Sequence, residues 1–138
     1  MRYMLDTNIL IYLMKNKPAR VAERVSRLAP TDSLRMSFIT WAELLKSVSG
    51  SSRPPEETRA RLMGLARVVP VLNTVQPSIA EHYATQFLRL KLAGTPIGGN
   101  DLWIACHALS EDCTLVTNNL REFSRIDGLA LENWAEEL

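Results

Sequence analysis

The sequence predicts an α/β fold: a single domain over residues 1–138 with a mainly parallel central sheet covered by helices on both sides. Three observations predict it. Short apolar, strand-like runs alternate with segments of helical periodicity, as in a parallel sheet with helical crossovers. Three acids, Asp6, Glu43 and Asp101, each come where an apolar run gives way to a helix-like pattern. The 138 residues, 46% hydrophobic and 22% charged, suffice for one soluble domain with its own core.

The elements come in order along the chain. Residues 2–5 suit a first strand and 9–15 a short helix. In 19–28, Val21, Val25 and Leu28 recur at helical spacing, with Pro18 placed for a helix start. Residues 34–39 read as a second strand and 41–48 as a helix. Residues 49–55, rich in Ser, Gly and Pro, read as an exposed loop. A helix over 55–68 has Glu56 and Glu57 in its first turn, where the helix dipole favours them. Residues 69–72 suit a third strand. A long helix over 78–92 puts Ile79, Tyr83, Phe87 and Leu90 on one face. A loop over 94–100 leads into a helix over 101–109. Residues 114–117 make a buried strand, 120–123 a helical turn and 129–131 an edge strand.

The composition excludes several classes. The longest strongly apolar stretch, residues 9–14, is too short to span a bilayer. The start shows no signal-peptide pattern, so the expected location is cytoplasmic. The two cysteines, Cys106 and Cys113, form no metal or redox motif, and Cys106, within an apolar helical run, reads as a core thiol. A net charge of +1 is no basic nucleic-acid coat. Arg20, Arg24 and Arg27, and Arg53, Arg59, Arg61 and Arg67, lie at near-helical spacing, and each run reads first as a solvated face. Glu132, Glu136 and Glu137 make the end of the chain acidic.

In an open parallel sheet the strand-to-helix junctions share one edge, so Asp6, Glu43 and Asp101 are expected to be neighbours in space. Each also has a structural reading. Thr40 and Glu43 fit a capping box. Asp101 fits a cap for the helix carrying Trp103, and Asp6 a cap for the turn into Ile9. Together they are harder to explain that way, because Thr7, Thr40 and Asn100 stand beside them and cap equally well. Two like charges about 4 Å apart near a surface cost on the order of 4 kcal/mol. A hard divalent cation such as Mg²⁺ removes that repulsion, and acids holding one suit chemistry on phosphates. A fourth junction, Val116-Thr117-Asn118-Asn119-Leu120-Arg121-Glu122-Phe123, offers neutral oxygens from Thr117 and Asn119, with Glu122 a turn later. Ordinary turn chemistry explains those three equally well. His82 and His107 lie in no ligand motif, and no phosphate-binding glycine loop or nucleophile elbow is present.

The ordered set Met4-Leu5-Asp6-Thr7-Asn8-Ile9-Leu10, Ser37-Phe38-Ile39-Thr40-Trp41-Ala42-Glu43-Leu44, Pro96-Ile97-Gly98, Asn100-Asp101-Leu102-Trp103-Ile104-Ala105 and Val116 to Phe123 resembles the PIN-domain ribonucleases, specifically the VapC toxins of toxin–antitoxin pairs. The resemblance runs nearly end to end and implies an α/β/α sandwich. It implies Asp6 and Asp101 as direct Mg²⁺ ligands, Mn²⁺ substituting, and Glu43 as the third acid. Many relatives carry a fourth acid after the last core strand. Asn119 holds that position here, with Glu122 as a stand-in. Thr7, Asn8, Thr117 and Arg121 are the expected substrate contacts, and Lys15 and Lys46 join Arg121 at the rim. The resemblance further implies a homodimer; the exposed part of the Leu44, Leu45 and Leu62 region is a candidate contact. It implies a VapB antitoxin whose C-terminal segment covers the cleft. The implied substrate is structured RNA, first of all initiator tRNA in its anticodon loop.

The expected activity is metal-dependent RNA hydrolysis leaving 5′-phosphate and 3′-OH ends. The alternative is a PIN-like module that binds nucleic acid without catalysis, or one acting on DNA. A signalling receiver domain fits poorly, since Asp6 has no adjacent acid and no lysine comes after the last core strand.

Overall fold

A computed structural model of the chain describes residues 1–48, 50 and 55–136. The loop expected over 49–55, Gly50 and Pro55 excepted, lies outside the described residues, as do Arg53 and Glu137. The order is β1 (Arg2–Leu5), α1 (Thr7–Lys15), α2 (Ala19–Ser26), β2 (Ser33–Ser37), α3 (Phe38–Val48), α4 (Pro55–Val68), β3 (Val71–Leu72), α5 (Ser78–Ala93), α6 (Gly99–Ser110), β4 (Thr114–Val116), α7 (Leu120–Phe123) and β5 (Leu131–Glu132).

The strands form one sheet in the order β3-β2-β1-β4-β5, and every neighbouring pair is parallel. The sheet is thus wholly rather than mainly parallel. β1 is central, with Tyr3 opposite Leu34 of β2 and Thr114 of β4. Its side chains alternate between faces, as the pleat requires. Tyr3 and Leu5 pack with Ile9, Val21, Leu44 and Leu62 in one cluster. Met4 packs with Ile79, Leu90, Leu102 and Ile104 in another. Helices before β3 supply the first cluster and helices after it the second, so the sheet is covered on both faces.

Several element ends differ from the sequence expectation, for local reasons. Phe38 and Ile39 belong to α3, not to the second strand. The Ser37 hydroxyl accepts a hydrogen bond from the Ile39 N–H at 3.1 Å, so Ser37 caps α3 and overrides the β-propensity of Phe38 and Ile39. Thr40 is therefore inside the helix, fully buried with Oγ1 unpartnered among the described residues, and the capping box with Glu43 does not exist. α6 starts at Gly99 with Gly98 at its cap, so Asp101 sits in the first turn and is not the cap. α5 ends where Gly94 adopts φ +70°, a left-handed conformation that glycine takes without strain.

Two surface expectations also change. Phe87, expected to face inward with Ile79 and Leu90, is 47% exposed. Leu44 and Leu62 are each 1% exposed, so they build the core and offer no dimer surface. Cys106 is a buried free thiol, as expected, and Cys113 is buried and free as well. Arg24 is not a solvated charge: its guanidinium stacks over Trp134 at 4.9 Å and pairs with Glu132 at 3.6 Å. Among the described residues no helix is long and apolar enough to cross a membrane.

Candidate active site

The strand order fixes where a site can form. After β1 the chain winds outward through β2 and β3, then crosses back to β4 on the other side of β1. The switch point is between β1 and β4, and crevices open at the carboxyl ends of strands there. Asp6 comes directly after β1 at this point, and its N–H donates to Val116 O of β4 at 3.0 Å. Thr117 comes directly after β4.

A cleft of about 140 Å³ opens at this edge, lined by Asp6, Thr7, Asn8, Glu43, Asp101, Asn119 and Phe123. The acids predicted to be neighbours thus line one cleft, brought there by β1, α3 and α6. Larger grooves lie elsewhere, including one of about 660 Å³ between α2 and the end of the chain, but its acids Glu23, Glu132 and Glu136 stand among Arg20, Arg24 and Arg27, so it gathers no uncompensated negative charge.

Asp6 is only 7% exposed. One carboxylate oxygen caps α1, accepting from the Ile9 N–H at 3.1 Å. Its pKa is pushed up to about 6, mostly by burial and further by the charges of Asp101 and Glu43, against the hydrogen bonds from Thr117 and Ile9. Asp101 is also held above the usual carboxylate range, by burial first and then by Glu43 and Glu122. Glu43 is oriented from a different element: the Thr7 hydroxyl donates to its Oε1 at 2.7 Å.

The fourth junction forms a small network. Asn119 caps α7 and its Nδ2 donates to Glu122 Oε2 at 2.9 Å. The Asn119 N–H donates to Thr117 Oγ1 at 2.9 Å. Glu122 is thereby held close enough for its charge to act on Asp101. Thr117 is fully buried between Asp6 and Asn119, so it positions site residues and does not reach a substrate. Asn8 is exposed at the cleft wall. Arg121 is exposed on α7 but does not line the cleft. Lys15 lies elsewhere, in a groove with Lys17 and Arg61.

Sequence reasoning assigned no role to two residues that shape the site. Phe123, 1% exposed, lines the cleft; its spacing of four from Asn119 on one helical turn was the available signal. Ser37 caps the helix that carries Glu43 and also bonds His107 Nδ1 at 2.8 Å. His107 is fully buried, with its pKa lowered by burial, so its role is structural.

The donor set fits a hard cation. Three carboxylates and the Asn119 amide face a cleft with no basic side chain among its lining residues, and neighbouring acids add to the raised pKa values of Asp6 and Asp101. Among the described residues no three His, Cys, Asp or Glu side chains are gathered tightly enough to enclose an ion alone. An ion here would keep part of its water shell, which is the habit of Mg²⁺.

Comparison with known proteins agrees with this geometry. The PIN domain family profile matches residues 3–129. Ribonuclease VapC1 of Haemophilus influenzae (strain R2866) is 51% identical over 138 residues, covering 99% of this chain and 100% of that protein. The tRNA(fMet)-specific endonuclease VapC of Shigella flexneri is 37% identical over 135 residues, covering 98% and 99%. A chain in the solved VapBC-1 complex of nontypeable H. influenzae superposes with a TM-score of 0.90, covering 99% of this chain and 100% of its own, at 51% identity.

Proposed function

Because this chain belongs to the PIN-domain family, and within it to the VapC ribonucleases, we propose that it is an Mg²⁺-dependent endoribonuclease toxin. The observation that carries the proposal is the cleft in which Asp6, Glu43 and Asp101 meet at the switch point of the sheet.

Asp6 and Asp101 are the residues that would hold the ion. When bound, it supplies Lewis acidity that lowers the pKa of a water and polarises the scissile phosphate. Glu43 accepts the proton of the attacking water. The Thr7 hydroxyl fixes its Oε1, which leaves Oε2 for this task. Asn119 and Glu122, bonded to each other, extend the polar wall beside Asp101 and orient water there. Asn8 and Arg121 are placed to meet the flanking backbone. Water oxygen bonds to phosphorus as the bond to the 3′ oxygen breaks, so the products carry 5′-phosphate and 3′-OH ends. The ribose 2′-OH takes no part.

The substrate class is tRNA, with initiator tRNA as the first candidate because a relative of nearly equal length is named a tRNA(fMet)-specific endonuclease, and its anticodon loop is the proposed cut site. An unpaired loop also bends into a narrow cleft more readily than a duplex. A VapB-type antitoxin is the proposed inhibitor, as in the complex formed by the similar VapBC-1 chain. The working form is a homodimer acting in the cytoplasm.

The test is cleavage of total RNA by the purified protein with Mg²⁺ or Mn²⁺, then sequencing of the cut ends, beside Asp101→Asn and EDTA controls. Discrete cuts with 5′-phosphate ends, lost in both controls, are expected. Cleavage that survives both would overturn the metal mechanism. Cleavage of single-stranded DNA and not RNA would overturn the substrate class.

A further inference from the structure

A second groove, about 300 Å³ and mostly apolar, runs beside the acid cleft between α5 and the start of α6. Tyr83, Phe87, Lys91, Ile97, Gly99 and Leu102 are among the residues that line it. Its outer wall is an aromatic ladder. Tyr83 stacks on Trp103 with centroids 3.9 Å apart and planes 13° apart. Phe87 stacks on Tyr83 at 5.8 Å and 23°. The rings are close to parallel, and the last of them, Phe87, is 47% exposed. A stack with an open end is unusual for packing alone, because a terminal ring left in water forfeits much of its burial gain.

The groove adjoins the site across the first turn of α6, with no lining residue in common. Gly99 and Leu102 line it, while Asp101, in the same helical turn, lines the cleft. Gly98, at the cap of that turn, lies against Asp101: a Cβ placed there would be 3.8 Å from Asp101 Oδ2. Arg125 Nη1 holds the wall by donating to Pro96 O at 3.1 Å. Nothing lies within 4 Å of where a Gly99 side chain would begin, so this wall is open. Lys91, one helical turn beyond Phe87, is exposed and adds a positive charge at the rim.

Resting on the ribonuclease reading, we propose that this ladder is a stacking platform for one unpaired nucleobase of the substrate, flanking the phosphate cut at the acid cleft. A base adds to Phe87 as the next ring. Lys91 meets the phosphate of that nucleotide, the charge complementarity that favours a polyanion here over an apolar protein surface. Stacking reads a π-face and not an edge, so the platform accepts any base but needs one that is splayed out of its helix. Duplex RNA is thereby disfavoured independently of the cleft's width.

The test uses the intact protein. Binding is measured in EDTA by fluorescence anisotropy of a fluorescein-labelled single-stranded RNA heptamer, a matched heptamer with one abasic residue at each position in turn, and the RNA duplex. Cleavage of the unmodified heptamer is measured with Mg²⁺, and sedimentation velocity gives the oligomeric state. Phe87→Ala is expected to weaken binding about tenfold and to raise KM with little change in kcat. Phe87→Trp restores binding, and Lys91→Gln adds a smaller loss that salt removes. One abasic position, near the cut, should reproduce the Phe87→Ala loss in the native protein and have no further effect in the variant. Equal binding by Phe87→Ala and the native protein, with cleavage intact, overturns the platform alone. A change in oligomeric state with unaltered RNA binding also overturns it and assigns the groove to a second copy of the chain. Absence of heptamer binding by the native protein overturns the platform, while the ribonuclease reading stands or falls separately on the cleavage of total RNA.

Discussion

A carboxylate as buried as Asp6 would serve equally well as an amide if capping α1 were its whole task. The Oδ1 of an asparagine accepts from the Ile9 N–H in the same way. What the carboxylate adds is charge, and the fold is opposed to that charge, as the rise of its pKa to about 6 shows. Between the ordinary value of 3.8 and about 6 the folded protein holds a proton at Asp6 that the unfolded chain has released. Through this group the metal-free protein loses stability as pH rises across that window, with no further loss above it. At about 1.4 kcal/mol per pH unit the effect is on the order of 3 kcal/mol. Asp6→Asn should therefore raise the melting temperature in EDTA at pH 7.5, with a much smaller gain at pH 4.5, and abolish cleavage. Thermal melts of both proteins at the two pH values check this; equal melting temperatures at pH 7.5 would refute it. Thr7 offers a second residue-level test. Thr7→Val removes the 2.7 Å bond to Glu43 and should lower kcat about tenfold or more while leaving the melt nearly unchanged.

At the scale of elements, Ser37 ties α3 to the opposite layer. Its hydroxyl caps the helix that presents Glu43 and bonds buried His107 on α6. Ser37→Ala removes a cap and strands a buried imidazole nitrogen, so it should cost roughly 2 kcal/mol in denaturant unfolding. Activity should fall as well, because Glu43 loses the anchored start of its helix. The same residue shows what the sequence concealed. Phe38-Ile39 after an apolar run reads as more strand, with Thr40 as the cap, and only a tertiary role for Ser37 ends β2 before them. Gly98-Gly99-Asn100 reads as loop, yet α6 begins at Gly99, because a glycine at the cap leaves no side-chain signal. The helix over 55–68 was legible to the residue, since its start is marked by proline and two acids. Asp6 and Glu43 were legible because parallel strands gather their ends, but Asp101 follows the loop after α5 and no strand, so the packing of α6 against the sheet brings it to the same edge. The burial of Thr117 and the pairing of Thr7 with Glu43 were not, because both depend on the spacing between neighbouring strand ends.

For the molecule as a whole, the sheet concentrates repulsion at one edge and offers relief there. A divalent ion that binds only the folded form should stabilise by mass action, by about 2.7 kcal/mol at a hundredfold excess over Kd. Mg²⁺ or Mn²⁺ should accordingly raise the melting temperature of the native protein, and Asp101→Asn should abolish most of the shift. A rise of the same size in both would place the ion elsewhere. The larger grooves lie on helical surfaces away from this edge, so their substitution should leave the ion-dependent shift untouched.

The bond from the Asp6 amide to Val116 has a consequence for synthesis. The first acid of the cleft is made long before the strand that fixes it. A chain interrupted between α3 and β4 carries Asp6 and Glu43 without the cleft that holds them. Such fragments are expected to lack nuclease activity, which cleavage assays on a chain ending before Thr114 would check.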